Sequence, residues 1–211
     1  EQSYCLLAWS PLGGLFLKWF KDNFFQSLKN RDAADNIYGY MDSLAQEIEA
    51  GSQGLITLPF IAGAMTPFNN DRAKGIFFGI SLKHNIGHFI RSIMESNAFM
   101  LKLYLELFKK IGIAINEVRI IGGGSNSNLW NQITADVTKL TVRTVKNSQA
   151  SLLGAAMIAA VGSGYYQDYS QAARSMVKTG KEYRPEHRLF EVYEYNYDKF
   201  LKIYKNNINI F

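Results

Sequence analysis

Between residues 120 and 137 the chain reads IIGGGSNSNLWNQITADV. Three consecutive glycines, Gly122, Gly123 and Gly124, end an apolar run, and Ser125, Asn126, Ser127 and Asn128 follow them. A simple turn needs only one glycine. Three suggest that something must come close to the backbone, because glycine lacks the Cβ that would hold a ligand away. The first turn of the following helix adds unpaired amides, which donate to anionic oxygens. The hydroxyl and amide side chains suit a helix cap and a ligand hydrogen bond equally. The chemistry this pattern permits is phosphate or nucleotide binding. The alternative is a tight strand-to-helix turn with an ordinary cap. Neither G-x-x-x-x-G-K-[ST] nor G-x-G-x-x-G is present. A dinucleotide fold also expects an acid about 20 residues past its glycines, and Lys139 to Arg143 supply none.

Other reactive residue types form no set. His84 and His88 are spaced i, i+4, but no Glu or Cys stands with them in a ligand pattern, and His187 is remote. His88 suits packing or a hydrogen bond at a helix start. Asp136 suits a surface or capping role rather than catalysis, and Trp130 suits the core or a pocket wall. Gly154 and its alanine neighbours are expected to let a helix lie close on a sheet.

These residues need elements to position them. LFLKWFKDNFFQSL and AADNIYGYMDSLAQEIEA carry apolar residues at helical spacing, the second stopping at Gly51. GLITLPF and IFFGIS read as short strands around the turn-forming GAMTPFNNDRAKG. A long helix is predicted over 85–110, with Ile86, Phe89, Ile90, Ile93, Phe99, Leu103 and Leu107 on one broad stripe. EVRIIGG is a strand into the glycine turn, with a helix starting near Asn126 to Asn128. TVRTV is a strand, SLLGAAMIAAVGSG a small-residue helix, and helices are predicted over 170–178 and 186–206. This alternation predicts an α/β domain with a mixed central sheet flanked by helices, 1–211 forming one unit.

Composition narrows the class. Hydrophobic residues are 47% and charged residues 19%, enough for a sizeable core. The net charge is +5, but the basic residues are scattered and Lys109-Lys110 is the only adjacent pair. A phosphate-tracking surface clusters its charge, so nucleic acid is not an expected partner. The longest apolar run, LLGAAMIAAVG, is shorter than the roughly 18 residues of a membrane span. Cys5 is the only cysteine, which excludes an internal disulfide and fits a reducing cytoplasm. The opening EQSYCLLAWS has neither a starting methionine nor a basic leader and reads as the middle of a longer polypeptide.

The segment Gly122-Gly123-Gly124-Ser125-x-Ser127-x-x-Trp130-x-Gln132-Ile133-x-Ala135-Asp136-Val137 resembles the adenosine-binding segment of the FGGY carbohydrate kinases. Gly75-x-Phe77-x-Gly79-Ile80, then seven residues, then His88-Phe89-x-x-Ser92-Ile93-Met94-Glu95, resembles that family's C-terminal signature. GLITLPFIAGAMTP and QASLLGAAMIAAVGSG resemble the segments before and after. Gly14, five residues before Trp19, falls where the family has a glycine near the ATP phosphates. The resemblance covers most of the chain, in the family's order.

The resemblance implies an actin-like, ribonuclease-H-like fold and ATP-dependent phosphorylation of a sugar or polyol with Mg2+. This chain would be the nucleotide-side domain, binding through Gly14, Lys18, Gly122, Gly123, Gly124, Ser127 and Asn128. Lys18 has the alternative of a solvated lysine on an amphipathic helix. The sugar pocket and the general-base aspartate are expected in an N-terminal domain outside this sequence. No catalytic base and no metal ligand are assigned here, and the 211 residues alone are expected to be inactive. A homodimer is compatible with the resemblance. Ala62-Gly63-Ala64-Met65-Thr66-Pro67 stands where many xylulokinases have S-G-E-R-T-P, so another sugar fits as well as xylulose. The alternative function is a non-catalytic nucleotide-binding or scaffold domain of the same fold.

Overall fold

The computed structural model describes residues 5–10, 13–26, 36–146 and 149–210. Its spine is the long helix α3 (Ile86–Lys110). Ile90, Ile93, Met94, Ala98, Phe99 and Tyr104 recur at i, i+3, i+4 spacing, so one broad stripe is buried. Asn85 caps the start: its side chain accepts from the Gly87 amide, and His88 Nδ1 accepts from the Asn85 amide at 3.2 Å. That is the helix-start hydrogen bond expected of His88.

Helices from both ends of the chain lie on α3, three of them around the glycine turn. These three are α1 (Leu15–Phe24), α2 (Ile37–Gln46) and α4 (Asn128–Thr138). Phe16, Phe20, Met41, Ala45 and Ile133 join the α3 stripe in a single buried cluster that extends to Phe200 and Tyr204. The first third is thus part of the same core. Helix α2 stops at Gln46 rather than Gly51; Gly51, at φ 87°, instead opens a 3-10 turn at Ser52–Gly54. The expected extensions of the first two helices into 27–28 and 33–35 lie outside the described residues.

The strands form two sheets. Antiparallel β1 (Ile56–Leu58) and β2 (Ile76–Phe78) pair Ile56 with Phe78 and Leu58 with Ile76. The mixed sheet has β3 (Glu117–Ile120) parallel to β4 (Thr141–Val145), and β4 antiparallel to β5 (Thr179–Tyr183). Strand β5 is absent from the sequence reading. Its TGKEY has no apolar alternation and four of its five residues are exposed, so it leaves no period-2 signal. Pairing is read instead by Thr144, whose Oγ1 accepts from the Lys181 amide at 2.9 Å, and by Arg143, which bridges Glu117 and Glu182.

After β4 come α5 (Ala150–Gly162) and α6 (Tyr169–Met176), and α7 (Phe190–Asn207) closes the chain through a 3-10 turn at His187–Leu189. Helix α5 corrects the expectation for Gly154. No α5 residue is buried, its main packing partner is α6, and a Cβ built on Gly154 would meet nothing within 4 Å. Asp136 is likewise not a surface residue. It is buried in α4 and accepts from Gln132 Nε2 at 2.9 Å and from the Glu186 amide at 2.8 Å, tying α4 to the start of the last helical segment.

The motif beginning at His88 does its work inside the fold. Glu95, 2% exposed, accepts from the Gly51 amide and Ser52 Oγ, each at 2.8 Å, and from Arg91 Nε at 3.0 Å. Arg91 also donates to the Ala45 carbonyl and to Tyr193 Oη, so α2, α3 and α7 meet at one satisfied buried pair. Ser92 Oγ lies 2.7 Å from Thr57 Oγ1 and fixes β1 on α3.

Candidate functional site

Where α1, α2, α3 and α4 face the glycine turn, they line a half-open cavity of about 930 Å³. Residues 122 to 127 make the turn. Gly122, at φ 79°, reverses the chain after β3, and Gly123–Asn126 wind into a 3-10 turn. Internal bonds hold it: Ser125 Oγ donates to the Gly122 carbonyl at 2.6 Å, and Asn131 Nδ2 donates to the Ser125 carbonyl at 2.9 Å. Ser127 then caps α4, its Oγ accepting from the Trp130 amide at 3.0 Å. The loop is a rigid, open-backed wall. A Cβ on Gly123 would meet nothing within 4 Å, and one on Gly124 would only touch the Trp130 ring.

Across the cavity, Gly13 and Gly14 lead into α1. Neither would bring a Cβ against anything, and Gly14 caps α1 without a side chain, leaving the first-turn amides to other acceptors. Of the residues singled out from the sequence, Gly14, Gly123, Gly124 and Ser127 therefore share one wall system. The other three are held elsewhere. Gly122 supplies the turn behind the wall. Lys18 pairs with Asp22 on the exposed face of α1. Asn128 Oδ1 accepts from Lys181 Nζ at 2.9 Å and from Tyr183 Oη at 2.8 Å, joining α4 to β5.

Trp130 is a wall of the cavity, with its Nε1 donating to the Met94 carbonyl at 3.2 Å. Asp42, on α2, is the cavity residue that the sequence reading missed. Burial pushes its carboxyl above the ordinary carboxylate range, and the Ser127 hydroxyl pulls the other way. The only sequence signal for it was an acid on the pocket side of an amphipathic helix, which nothing in that helix distinguishes from a solvated one. Among the described residues, no group of three His, Cys, Asp or Glu side chains is arranged to hold a metal. No described helix is long and apolar enough to cross a membrane.

The mixed β3–β4–β5 sheet with its glycine turn at a strand–turn–helix junction makes this an α/β fold. The family profile "FGGY family of carbohydrate kinases, C-terminal domain" matches residues 4–163, and the chain belongs to that family. The xylulose kinase of Bacillus subtilis (strain 168) is 29% identical over 204 residues, covering 97% of this chain and 39% of that protein. The gluconokinase of the same strain is 28% identical over 175 residues, covering 82% and 34%. The crystal structure of xylulose kinase from Rhodospirillum rubrum superposes with a TM-score of 0.79 at 30% identity, over 93% of this chain and 38% of that one. Plasmodium falciparum glycerol kinase with ADP shares the fold, with a TM-score of 0.70 at 17% identity over 88% and 36%. The fold is thus that of the FGGY kinases, an actin-like ATPase fold. The chain spans about two fifths of the length of the curated relatives it matches.

Proposed function

We propose that this chain is the nucleotide-binding part of an ATP-dependent kinase that phosphorylates a hydroxyl of a sugar or polyol. The observation that carries the reading is the cavity in which the bare backbone of Gly123 and Gly124 faces the Gly13-Gly14 start of α1. Glycine backbone on both sides lets a polyphosphate approach amides that side chains would otherwise screen. Xylulose kinase and gluconokinase relatives support the acceptor class, and the family supports ATP as donor. Phosphoryl transfer asks a protein chiefly to position donor and acceptor and to offset charge.

In this reading the aspartate base and the sugar contacts belong to an N-terminal domain of the longer polypeptide. The exposed apolar helix α5 supports such a neighbour: Leu152 and Ile158 are 68% and 62% exposed on a helix with no buried residue. A patch of that kind marks an interaction surface more often than bare solvent. Mg2+ would arrive with the nucleotide phosphates. The described residues build no acidic cluster for it.

The test is phosphorylation by the whole polypeptide, with ATP and xylulose, gluconate and glycerol as acceptors. Production of ADP that depends on one of these acceptors is expected. Absence of acceptor-dependent ADP with all three, together with absence of nucleotide binding, would overturn the reading.

A further inference from the structure

Among the described residues lining the cavity, Asp42 alone carries a formal charge. Four side-chain donors of the lining are already committed. Trp130 Nε1 donates to the Met94 carbonyl at 3.2 Å, Asn131 Nδ2 to Ser125 O at 2.9 Å and Asn97 Nδ2 to Ile93 O at 2.9 Å. Thr134 Oγ1 donates to Trp130 O at 2.8 Å. A carbonyl only accepts, so these bonds fix which end of each amide is nitrogen. Beside the Tyr38 and Tyr104 hydroxyls that also line the cavity, the side-chain ends left on this wall are acceptors: the Asp42 carboxylate, to which Ser127 donates, and the oxygens of Asn97 and Asn131. Asn131, 1% exposed, has a buried Oδ1 with no donor among the described residues. Satisfied buried acceptors are the rule, so this one marks a place where a donor is wanted.

One negative charge beside an unsatisfied acceptor repels phosphate and attracts a neutral group carrying O–H or N–H. The phosphates of a bound nucleotide therefore lie away from Asp42, and its nucleoside lies beside it. We propose that Asp42 is a specificity-determining residue for the nucleotide, accepting a hydrogen bond from the ribose hydroxyls or the exocyclic amine of the nucleoside. The proposal rests on the nucleotide-binding reading above.

Trp9 and Trp130 both line the cavity, so intrinsic fluorescence can follow binding. The whole polypeptide would be titrated with ADP, 2′-deoxy-ADP, 3′-deoxy-ADP and IDP. Wild type should prefer ADP by about tenfold over at least one analogue, since a hydrogen bond to a charged group is worth roughly that much. Discrimination against a deoxy analogue identifies the ribose, and discrimination against IDP identifies the amine. Asp42→Ala should bind ADP and that analogue equally, and Asp42→Asn, which keeps the size without the charge, should fall between. Circular dichroism of both variants checks the fold. Equal wild-type affinity for all four ligands, or undiminished discrimination in both variants, would overturn the assignment of Asp42 alone. Failure of wild type to bind ADP at all would instead overturn the nucleotide reading, and this inference with it.

Discussion

Gly122 and Gly123 are adjacent and have different physical reasons to be glycine. Gly122 sits at φ 79°, where a β-branched side chain is strained, whereas Gly123 has an ordinary φ and empty space where its Cβ would be. Gly122→Val should therefore cost about 1–2 kcal/mol of stability, read as a lower melting temperature. Gly123→Val should leave melting unchanged and weaken ADP binding about tenfold or more, some 1.4 kcal/mol, because its methyls stand in the cavity. Equal ADP affinity in Gly123→Val and wild type would return the three glycines to a turn with no ligand. Asp42 supplies a pH test. Its carboxyl is raised above 3.8 chiefly by burial, so the native state holds its proton more tightly than the unfolded chain does. Its stabilising contribution is complete below pH 3.8 and is lost as pH rises through the higher folded value. Asp42→Asn should thus melt higher than wild type at pH 7 and show no such gain at pH 3; a gain of equal size at both would contradict the assignment. The glycines were legible in the sequence because three in a row break local rules. Asp42 was not, because only the fold brings α2 to a turn some 80 residues later.

At the scale of elements, α2 matters because it carries Asp42, and its position is set by a close approach to α3. A Cβ on Gly87 would fall 2.4 Å from the Leu44 carbonyl oxygen and 3.1 Å from an Ile48 methylene. Backbone cannot yield as a side-chain tip can, so Gly87→Val must push α2 outward. The expected cost is about 1–3 kcal/mol, seen in chemical unfolding, with ADP affinity falling because the Asp42 wall moves. Unchanged unfolding and unchanged affinity together would show that α2 is free to shift without effect on the cavity. The period of α3 announced it from the sequence almost to the residue, since a long amphipathic stripe flanked by Asn85 has one reading. Strand β5 was illegible for the opposite reason: its ladder is held by backbone and by Thr144 and Arg143, with no buried face to pattern its side chains. The apolarity of α5 was equally plain in sequence, but apolar composition says that a helix wants cover and not which surface covers it.

For the molecule as a whole, one core runs from Phe16 to Tyr204 and the cavity opens beside it. What the core does not absorb is α5. If a further domain of the longer polypeptide covers it, Leu152→Glu with Ile158→Glu should leave the melting of residues 1–211 within about 0.5 kcal/mol of wild type, as for substitutions of exposed residues. The same pair in the whole polypeptide should lower phosphorylation, because a burden of buried charge falls on the contact between domains. Full activity in that variant would remove α5 from the interface. The buried Arg91–Glu95 pair bears on the same scale, for it joins helices drawn from the beginning, middle and end of the chain. Sequence reading could carry Glu95 as part of a motif; that the motif serves packing became visible only with its partners Gly51, Ser52 and Tyr193 in place.

The reading of this fold turns on whether adenine nucleotide binds against the glycine wall. Backbone amide chemical-shift mapping of the 15N-labelled protein during an ADP titration tests it most directly, since Gly14, Gly123, Gly124 and Ser127 each carry an observable N–H. Saturable shifts are expected at these four amides and at the Trp130 indole, with little change at Lys139 and Glu194 around the separate cleft lined by another face of α3. Shifts centred on that second cleft, or none at the glycines at saturating ADP, would contradict it.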